Sequence, residues 1–383
     1  MRKLVWFILI AIVAGGGWFA WAVLIPVDVS GQTFVMLRPG YSTRRIAAEL
    51  KGAGLIRSAD AFVLLHYIHD RRSLKAGEYL FDKPASTLDI QKRLQRGDIY
   101  FHTVVVPEGY TMFDIARAVE AAGLGPADNF LKAAQSQTEL IADVAPGAHS
   151  LEGYLFPDTY EFSRMQSMEE IAAEMVCQFR IEARKIGLIA TAASPGEAAG
   201  GGARESTLSP HRCGMVVMRI SNRSEGPNQP PADGPQTGQP QTDPPQSDVE
   251  RTVVMASIIE KETSVPEERP VVASVYYNRL AKRIALDADP SIIYAELLAG
   301  TYQGALHHDD MSFSSPYNTY RNPGLPPGPI ANPGRSALEA AMHPAQTDYY
   351  YFVADAQGHH RFARTIEEHD KNVEEYRKAM RGR

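Results

Sequence analysis

The chain has 383 residues, 44% of them hydrophobic and 22% charged, which is enough apolar material for two or three domains with real cores and excludes a chain disordered throughout. A formal net charge of −6 gives no basic footprint, so nucleic acid is not an expected partner. The two cysteines, Cys177 and Cys213, have neither metal-ligand nor redox spacing; an exported location would permit a disulfide, but Cys213 falls in an irregular segment and free thiols are expected.

At the amino terminus Arg2 and Lys3 precede an uncharged run from Leu4 to Ile25, roughly 33 Å as a helix and so long enough to cross a bilayer core. The positive flank is expected to stay cytoplasmic, which puts everything after Pro26 outside the cytoplasm. Cleavage after Ala20-Trp21-Ala22 is the competing reading. The run is longer than the apolar region of a typical signal peptide, so an uncleaved single-pass anchor over residues 1–27 is expected.

An internal repeat follows, with Val35 to Leu55 matching Val104 to Leu124 at an offset of 69 residues between Gly40 and Gly109. Tyr41 pairs with Tyr110, Ser42 with Thr111, Ile46 with Ile115, Ala47 with Ala116, Leu50 with Val119, and Ala53-Gly54-Leu55 with Ala122-Gly123-Leu124. Each copy reads as a strand, a turn, a helix capped by Ser42 or Thr111, and a stop at Gly54 or Gly123 in the left-handed conformation. Two small α+β units are implied, serving either as duplicated architecture or as repeated modules that recognise a polymer.

From about Ala190 to Asp248 the chain becomes rich in Ala and Gly, then in Pro, Gln, Gly and Asp, and is expected to be a disordered insertion carrying no recognisable chemistry. An apolar helix is predicted over Val253 to Ile259, closed by Glu260-Lys261-Glu262. Burial and the negative end of the helix dipole would both raise the pKa of Glu260, which is how a general acid is made. Glu262, two residues on, must face elsewhere, so one acid should be chemical and the other structural. The plainer alternative pairs both with Lys261, Arg269 or Arg279 on a solvated face.

Downstream, Ser264 with Glu267 has capping-box spacing before a helix through Val272, Val275, Tyr276 and Leu280. Asp289-Pro290 reads as an N-cap followed by proline at the first helical position, with a stop at Gly300. Ser315 to Gly334 holds six prolines and three glycines and is expected to be a stiff loop led by Tyr317, Asn318, Thr319 and Tyr320. Those side chains suit a polar ring-shaped ligand such as a sugar; a rigid turn, or a proline-rich ligand for another domain, remains the alternative. Tyr349 to Val353 and His360 to Phe362 read as paired strands, and Thr365 with Glu368 caps a final helix. His307-His308-Asp309-Asp310 and His359-His360 lack the i, i+4 spacing and third ligand of a metal site; serine-nucleophile and phosphate-loop motifs are absent from the sequence. No cofactor or metal is expected.

ASIIEKET (256–263), VVASVYYNRL (271–280), LDADPSIIYA (286–295), SPYNTYRNPGLPPGPIANPG (315–334) and HPAQTDYYYFVAD (343–355), preceded by KAGEY (75–79), VVPEGYT (105–111) and LEGYLFPDTYEF (151–162), together resemble the MltG (YceG-like) family of endolytic murein transglycosylases. The resemblance covers the chain outside the insertion. It implies an α+β fold: a transmembrane helix, LysM-like α+β modules over 32–100 with a second repeat unit and connection over 101–189, the low-complexity insertion at 190–248, and a mixed α/β catalytic domain over 249–383.

The resemblance further implies cleavage of the MurNAc-GlcNAc β-1,4 bond without water, leaving a 1,6-anhydro-MurNAc end. One glutamic acid at Glu260 would protonate the glycosidic oxygen and then, as carboxylate, take the proton of the attacking C6 hydroxyl. Tyr317, Asn318 and Tyr320 are expected to hold the saccharide or stabilise developing charge, with Asn278 and Asp289 at the wall of the site. Where the family commonly reads Leu-Gln-(Ser/Thr)-Asp-Pro, this chain has Leu286-Asp287-Ala288-Asp289-Pro290, so Asp287 is a candidate second carboxylate. The expected protein is an enzyme of the outer, periplasmic face of the bacterial cytoplasmic membrane, acting on nascent peptidoglycan strands beside wall-synthesis proteins. The alternatives are a hydrolase using Glu260 with Asp287 or Asp289, and a peptidoglycan-binding protein without activity.

Overall fold

The computed structural model describes residues 2–29, 31–69, 71–190 and 246–381. It divides into two compact units, Met1–Thr103 with Glu161–Ser167, and Val104–Tyr160 with Met168–Arg383. Nearly all of the expected insertion, 191–245, lies outside the described residues.

The smaller unit begins with α1 (Arg2–Leu24), 23 residues of which only Ala22 and Val23 are buried, and it is long and apolar enough to cross a membrane. An antiparallel pair, β1 (Thr33–Leu37) and β2 (Gly77–Phe81), follows in the register Val35 opposite Tyr79. Between these strands run α2 (Thr43–Gly52) and α3 (Ala59–Ile68), and after them α4 (Thr87–Arg96). Val35, Leu37, Ile46, Leu50, Phe62, Tyr79 and Leu94 form the core. The KAGEY segment is explained by packing: Gly77, at φ +152°, leaves no room for a Cβ, which would fall 2.2 Å from Ile99 Cγ2, and Tyr79 Oη donates to the Lys75 carbonyl at 2.8 Å.

Both copies of the repeat fold as predicted. Ser42 accepts from the Arg45 N–H at 3.3 Å, and Thr111, with Asp114, forms a reciprocal capping box at the start of α5 (Met112–Ala121). Each helix ends in the same pair of bonds, Gly54 N–H to Lys51 O with Leu55 N–H to Leu50 O, and Gly123 N–H to Glu120 O with Leu124 N–H to Val119 O. The left-handed glycine makes both possible, at φ +74° and +73°.

In the larger unit α5 packs on α6 (Ala127–Ser136), which packs on α7 (Met168–Lys185). β3 (His102–Val105) and β4 (Thr159–Phe162), two strands whose residues fall partly in each unit, form a two-stranded sheet. Cys177 on α7 is disulfide-bonded, contrary to the expectation of a free thiol; separation along the chain carries no information about sulfur proximity in space, and Cys213 lies outside the described residues. The central helix is α8 (Asp248–Glu262), capped by Ser247, with Val253 to Ile259 buried as predicted. It packs against α9 (Arg269–Lys282), α10 (Asp289–Ala299) and α11 (Arg335–Met342). The carboxyl-terminal hairpin β5 (Tyr351–Ala354) and β6 (His360–Ala363) lies under α12 (Ile366–Arg381), whose first turn is capped by Thr365 through the Glu368 N–H.

Two predicted caps do not form. The box at Ser264 and Glu267 is replaced by a 3-10 turn, Pro266–Glu268, leading into α9 with Pro270 in its first turn, and it is Thr263 Oγ1 that accepts the Val265 N–H. Asp289 lies inside α10 rather than capping it: Ala288 is the N-cap and its N–H goes to Thr319 Oγ1 at 3.0 Å, leaving the Asp289 carboxylate to accept from Tyr320 Oη at 2.5 Å.

Candidate active site

Glu260 stands in the last turn of α8, and α9 and the end of the proline-rich loop bring its partners. Arg269 Nη2 donates to Glu260 Oε1 at 2.6 Å, and the Gly334 N–H donates to Oε2 at 2.9 Å. The Glu260 and Arg269 side chains are 4% and 5% exposed, so the pair is buried. Burial raises the Glu260 carboxyl above its ordinary value; the Gly334 N–H and Arg269 pull it down, Glu108 pushes it up and Lys261 pulls it down. The first cause wins, leaving a carboxyl that holds its proton more readily than a solvated glutamate while keeping two donors for its ionised form.

Arg269 carries a second carboxylate. Glu108, from the VVPEGYT segment, is 48% exposed and accepts from Arg269 Nη2 at 3.4 Å. The same Nη2 thus holds oxygens of Glu260 and Glu108, which lie no more than about 6 Å apart, a separation relevant to two-carboxylate chemistry. Gly334 is where the backbone comes close: a Cβ there would fall 1.9 Å from Glu108 Oε1. Neighbouring Gly109 keeps Glu260 Cγ 3.4 Å from its own Cβ position and accepts from Lys261 Nζ at 3.2 Å.

Asn332 fixes the loop that supplies Gly334. It is fully buried; its Oδ1 accepts from the Gly153 and Leu155 N–H groups at 2.8 and 2.9 Å, and its Nδ2 donates to Tyr110 O at 3.0 Å and Glu152 Oε1 at 2.6 Å. Its backbone exchanges two further 2.9 Å bonds with Gly109 and Tyr110. Glu152 in turn accepts from the Met112 N–H at the start of α5, where the helix dipole favours a carboxylate, although burial pushes it up to about 8. Three sequence motifs, VVPEGYT, LEGYLFPDTYEF and the ANPG end of the long loop, therefore meet beside Glu260.

The other sequence-predicted residues make hydrogen bonds and ring contacts of their own. Asn318 is fully buried and spends its amide on the Met311 and Phe313 carbonyls at 3.0 and 2.8 Å, holding its own loop. Tyr317 packs on Tyr294 at 5.2 Å between ring centres. Asn278 donates to the Thr347 and Tyr349 carbonyls, both at 2.9 Å, tying α9 to the segment before β5. Tyr320 and Asp289 line a cavity of about 580 Å³ with Glu262, Tyr276, Arg279 and Asp287, and Glu260 is not among its lining residues. Asp287 is bonded to Arg279 Nη1 at 3.0 Å and does not join the Glu260 cluster. Sequence reasoning weighed Arg269 only as a surface partner and missed Glu108, Asn332 and Gly334. Glu108 and the ANPG turn did carry a signal, since both fall inside motifs that carry the family resemblance.

Glu262 faces away from Glu260, as the helical spacing requires. It accepts from Tyr276 Oη at 2.8 Å, and burial pushes it up to about 7. Raised in the folded state from 4.5, this group favours folding below pH 4.5 and loses that contribution as pH rises through about 7, up to about 3 kcal/mol in all. Glu262→Gln is expected to flatten the fall in stability between pH 5 and pH 8, measured by denaturant unfolding; equal slopes in both proteins would contradict this placement of the charge.

A family model described as the YceG-like family matches residues 35–375. The endolytic murein transglycosylase of Bacillus subtilis is 30% identical over 382 residues, covering 95% of this chain and 91% of that protein. The protein of the same name from Streptococcus pneumoniae serotype 2 is 28% identical over 96% of this chain, which spans 64% of that relative's length. Among solved structures, a yceG-like protein from Listeria monocytogenes matches with a TM-score of 0.50 and 30% identity, over 90% of this chain and 99% of that one.

Proposed function

This chain belongs to the YceG-like family, and we propose that it is an endolytic murein transglycosylase in which Glu260 alone serves as acid and then base. The observation that carries the proposal is the balance around Glu260: a buried carboxyl whose pKa is raised, yet which has Arg269 and the Gly334 N–H ready for its ionised form. A group poised in this way can give its proton to the glycosidic oxygen and, once charged, receive the proton of the sugar's C6 hydroxyl as that oxygen attacks C1. The bond from C1 to the leaving oxygen breaks, the bond from C1 to O6 forms, and the proton lost in the first step is regained in the second. No water is consumed.

Arg269 serves as a positioning residue that keeps the carboxylate from being an uncompensated buried charge. Tyr320, Asp289, Tyr317, Asn318 and Asn278 are assigned to the surrounding saccharide path, the first two through the cavity they line and the others by shaping its loops. The strand–helix–helix–strand order of β1, α2, α3 and β2 supports a LysM-like, glycan-binding reading of the smaller unit. With α1 as the anchor and Arg2 and Lys3 on the cytoplasmic side, the rest of the chain would face nascent strands outside the cytoplasmic membrane, where internal cleavage ends their growth.

The test is to incubate the detergent-solubilised full chain with long uncrosslinked glycan strands and follow their length distribution. Internal cleavage is expected, with long strands converted to intermediate lengths before short products accumulate. Retained strand binding with unchanged lengths would favour a binding protein without activity.

A further inference from the structure

The ten-residue helix α3 is apolar on both sides. Its inner face, Ala61, Phe62 and Leu65, is buried, but Leu64, Tyr67 and Ile68 are 48%, 54% and 69% exposed. Spaced at i, i+3 and i+4, they form one stripe, which the exposed Asp60 continues one turn earlier. At the end of the stripe Arg71 donates from Nε to the Tyr67 carbonyl at 3.2 Å and lays its guanidinium over the Tyr67 ring at 5.8 Å.

The position of this stripe is set by α1. Ala22 and Val23, with Phe19 beside them, pack directly on Ala61 and Leu65 of α3. At 1.5 Å per residue, Phe19 to Leu24 is the last 8 Å or so of a helix about 34 Å long. The junction is fastened: Thr87 Oγ1 donates to Ala22 O at 2.9 Å, Val27 N–H to Ala85 O at 3.0 Å, and Arg57 to the Ile25 and Pro26 carbonyls while its guanidinium lies 4.9 Å over the Trp21 ring. Trp18 and Trp21, about half exposed, mark the same level with the indole rings typical of a membrane boundary.

We propose that the exposed stripe of α3 lies in the outer boundary of the bilayer that α1 crosses, with Leu64 and Ile68 among acyl chains and Tyr67 and Arg71 at the headgroups; this rests on reading α1 as an anchor. If α1 spans the hydrocarbon, a helix packed against its final turns sits at the acyl-headgroup boundary, where an apolar stripe ending in an aromatic residue and a cation is stable. Ten residues, about 15 Å, cannot cross the membrane but can lie within its surface. The apolar surface of α3 continues that of α1, and this continuity identifies lipid as the occupant. The smaller unit is then held by the bilayer along a second line of contact rather than swinging from a single helix.

The test uses the full chain in vesicles of phosphatidylcholine and phosphatidylglycerol, carrying a benzophenone amino acid at position 18, 45, 64 or 68. After irradiation, lipid adducts detected by mass spectrometry are expected at 18, 64 and 68 and absent at 45, where the native arginine is exposed on α2. Adducts at 18 but not at 64 or 68 would overturn the docking while leaving the anchor intact. No adducts at 18 would remove the anchor and the docking together. Crosslinks from 64 or 68 to a second copy of the chain, in place of lipid, would also overturn the proposal and make this stripe a protein interface.

Discussion

Glu260→Gln is expected to lower the rate of strand cleavage by at least about 10³-fold while leaving glycan binding in place. A positioned acid or base contributes roughly 10² to 10⁴ in rate, and here one group is assigned both proton transfers. The amide can neither give the proton nor take it back. The substitution also has a structural cost that must be read separately: both carboxyl oxygens of Glu260 accept, from Arg269 and from the Gly334 N–H, and an amide can match only one of these donors. A loss of about 1–3 kcal/mol is therefore expected in denaturant unfolding, with the folded state retained at ordinary temperature. A variant that is folded, binds strands and still cleaves them within tenfold of the parent rate would remove Glu260 from the chemistry.

Asn332→Ala is expected to have the largest effect on stability, about 3–5 kcal/mol, because one side chain satisfies four buried partners: the Gly153 and Leu155 N–H groups, the Tyr110 carbonyl and the Glu152 carboxylate. The consequence for activity is indirect and measurable. Asn332 stands two residues before Gly334, so loosening it moves the N–H that faces Glu260 as well as the Gly109 turn packed on the glutamate stem. Cleavage should fall in conditions where the variant is still folded, through kcat more than through KM. A loss below 1 kcal/mol in unfolding would mean that these buried groups find other partners.

How much of this was legible in the sequence depended on the range of the interaction. The helix whose last turn carries Glu260, the burial of Val253 to Ile259, the paired N-caps at Ser42 and Thr111 and the matching left-handed glycines are local, set by neighbours within a turn or two, and spacing carries them. The local rules failed at Ser264 and Asp289, where Pro266 and the Thr319 hydroxyl offered the backbone another solution. The surroundings of Glu260 were not legible, because Gly334 lies 74 residues away and Glu108 meets Arg269 across 161. No periodicity reports such pairs. The head of the long loop shows the same limit: nothing in the spacing reports that the Asn318 amide bonds the Met311 and Phe313 carbonyls and so holds its own loop.

The arrangement also redirects the question of a second carboxylate. Asp287, which the sequence offered, is tied to Arg279, whereas Glu108 shares Arg269 with Glu260. The decisive measurement is therefore product mass after digestion of uncrosslinked strands in ¹⁸O-labelled water by the full chain, with Glu260→Gln in parallel. Ends of 1,6-anhydro-MurNAc that carry no label, absent with the variant, are the result expected of a single-carboxylate lytic enzyme. Reducing ends labelled with ¹⁸O would contradict it and make the protein a hydrolase, with Glu108 as the carboxylate to replace next.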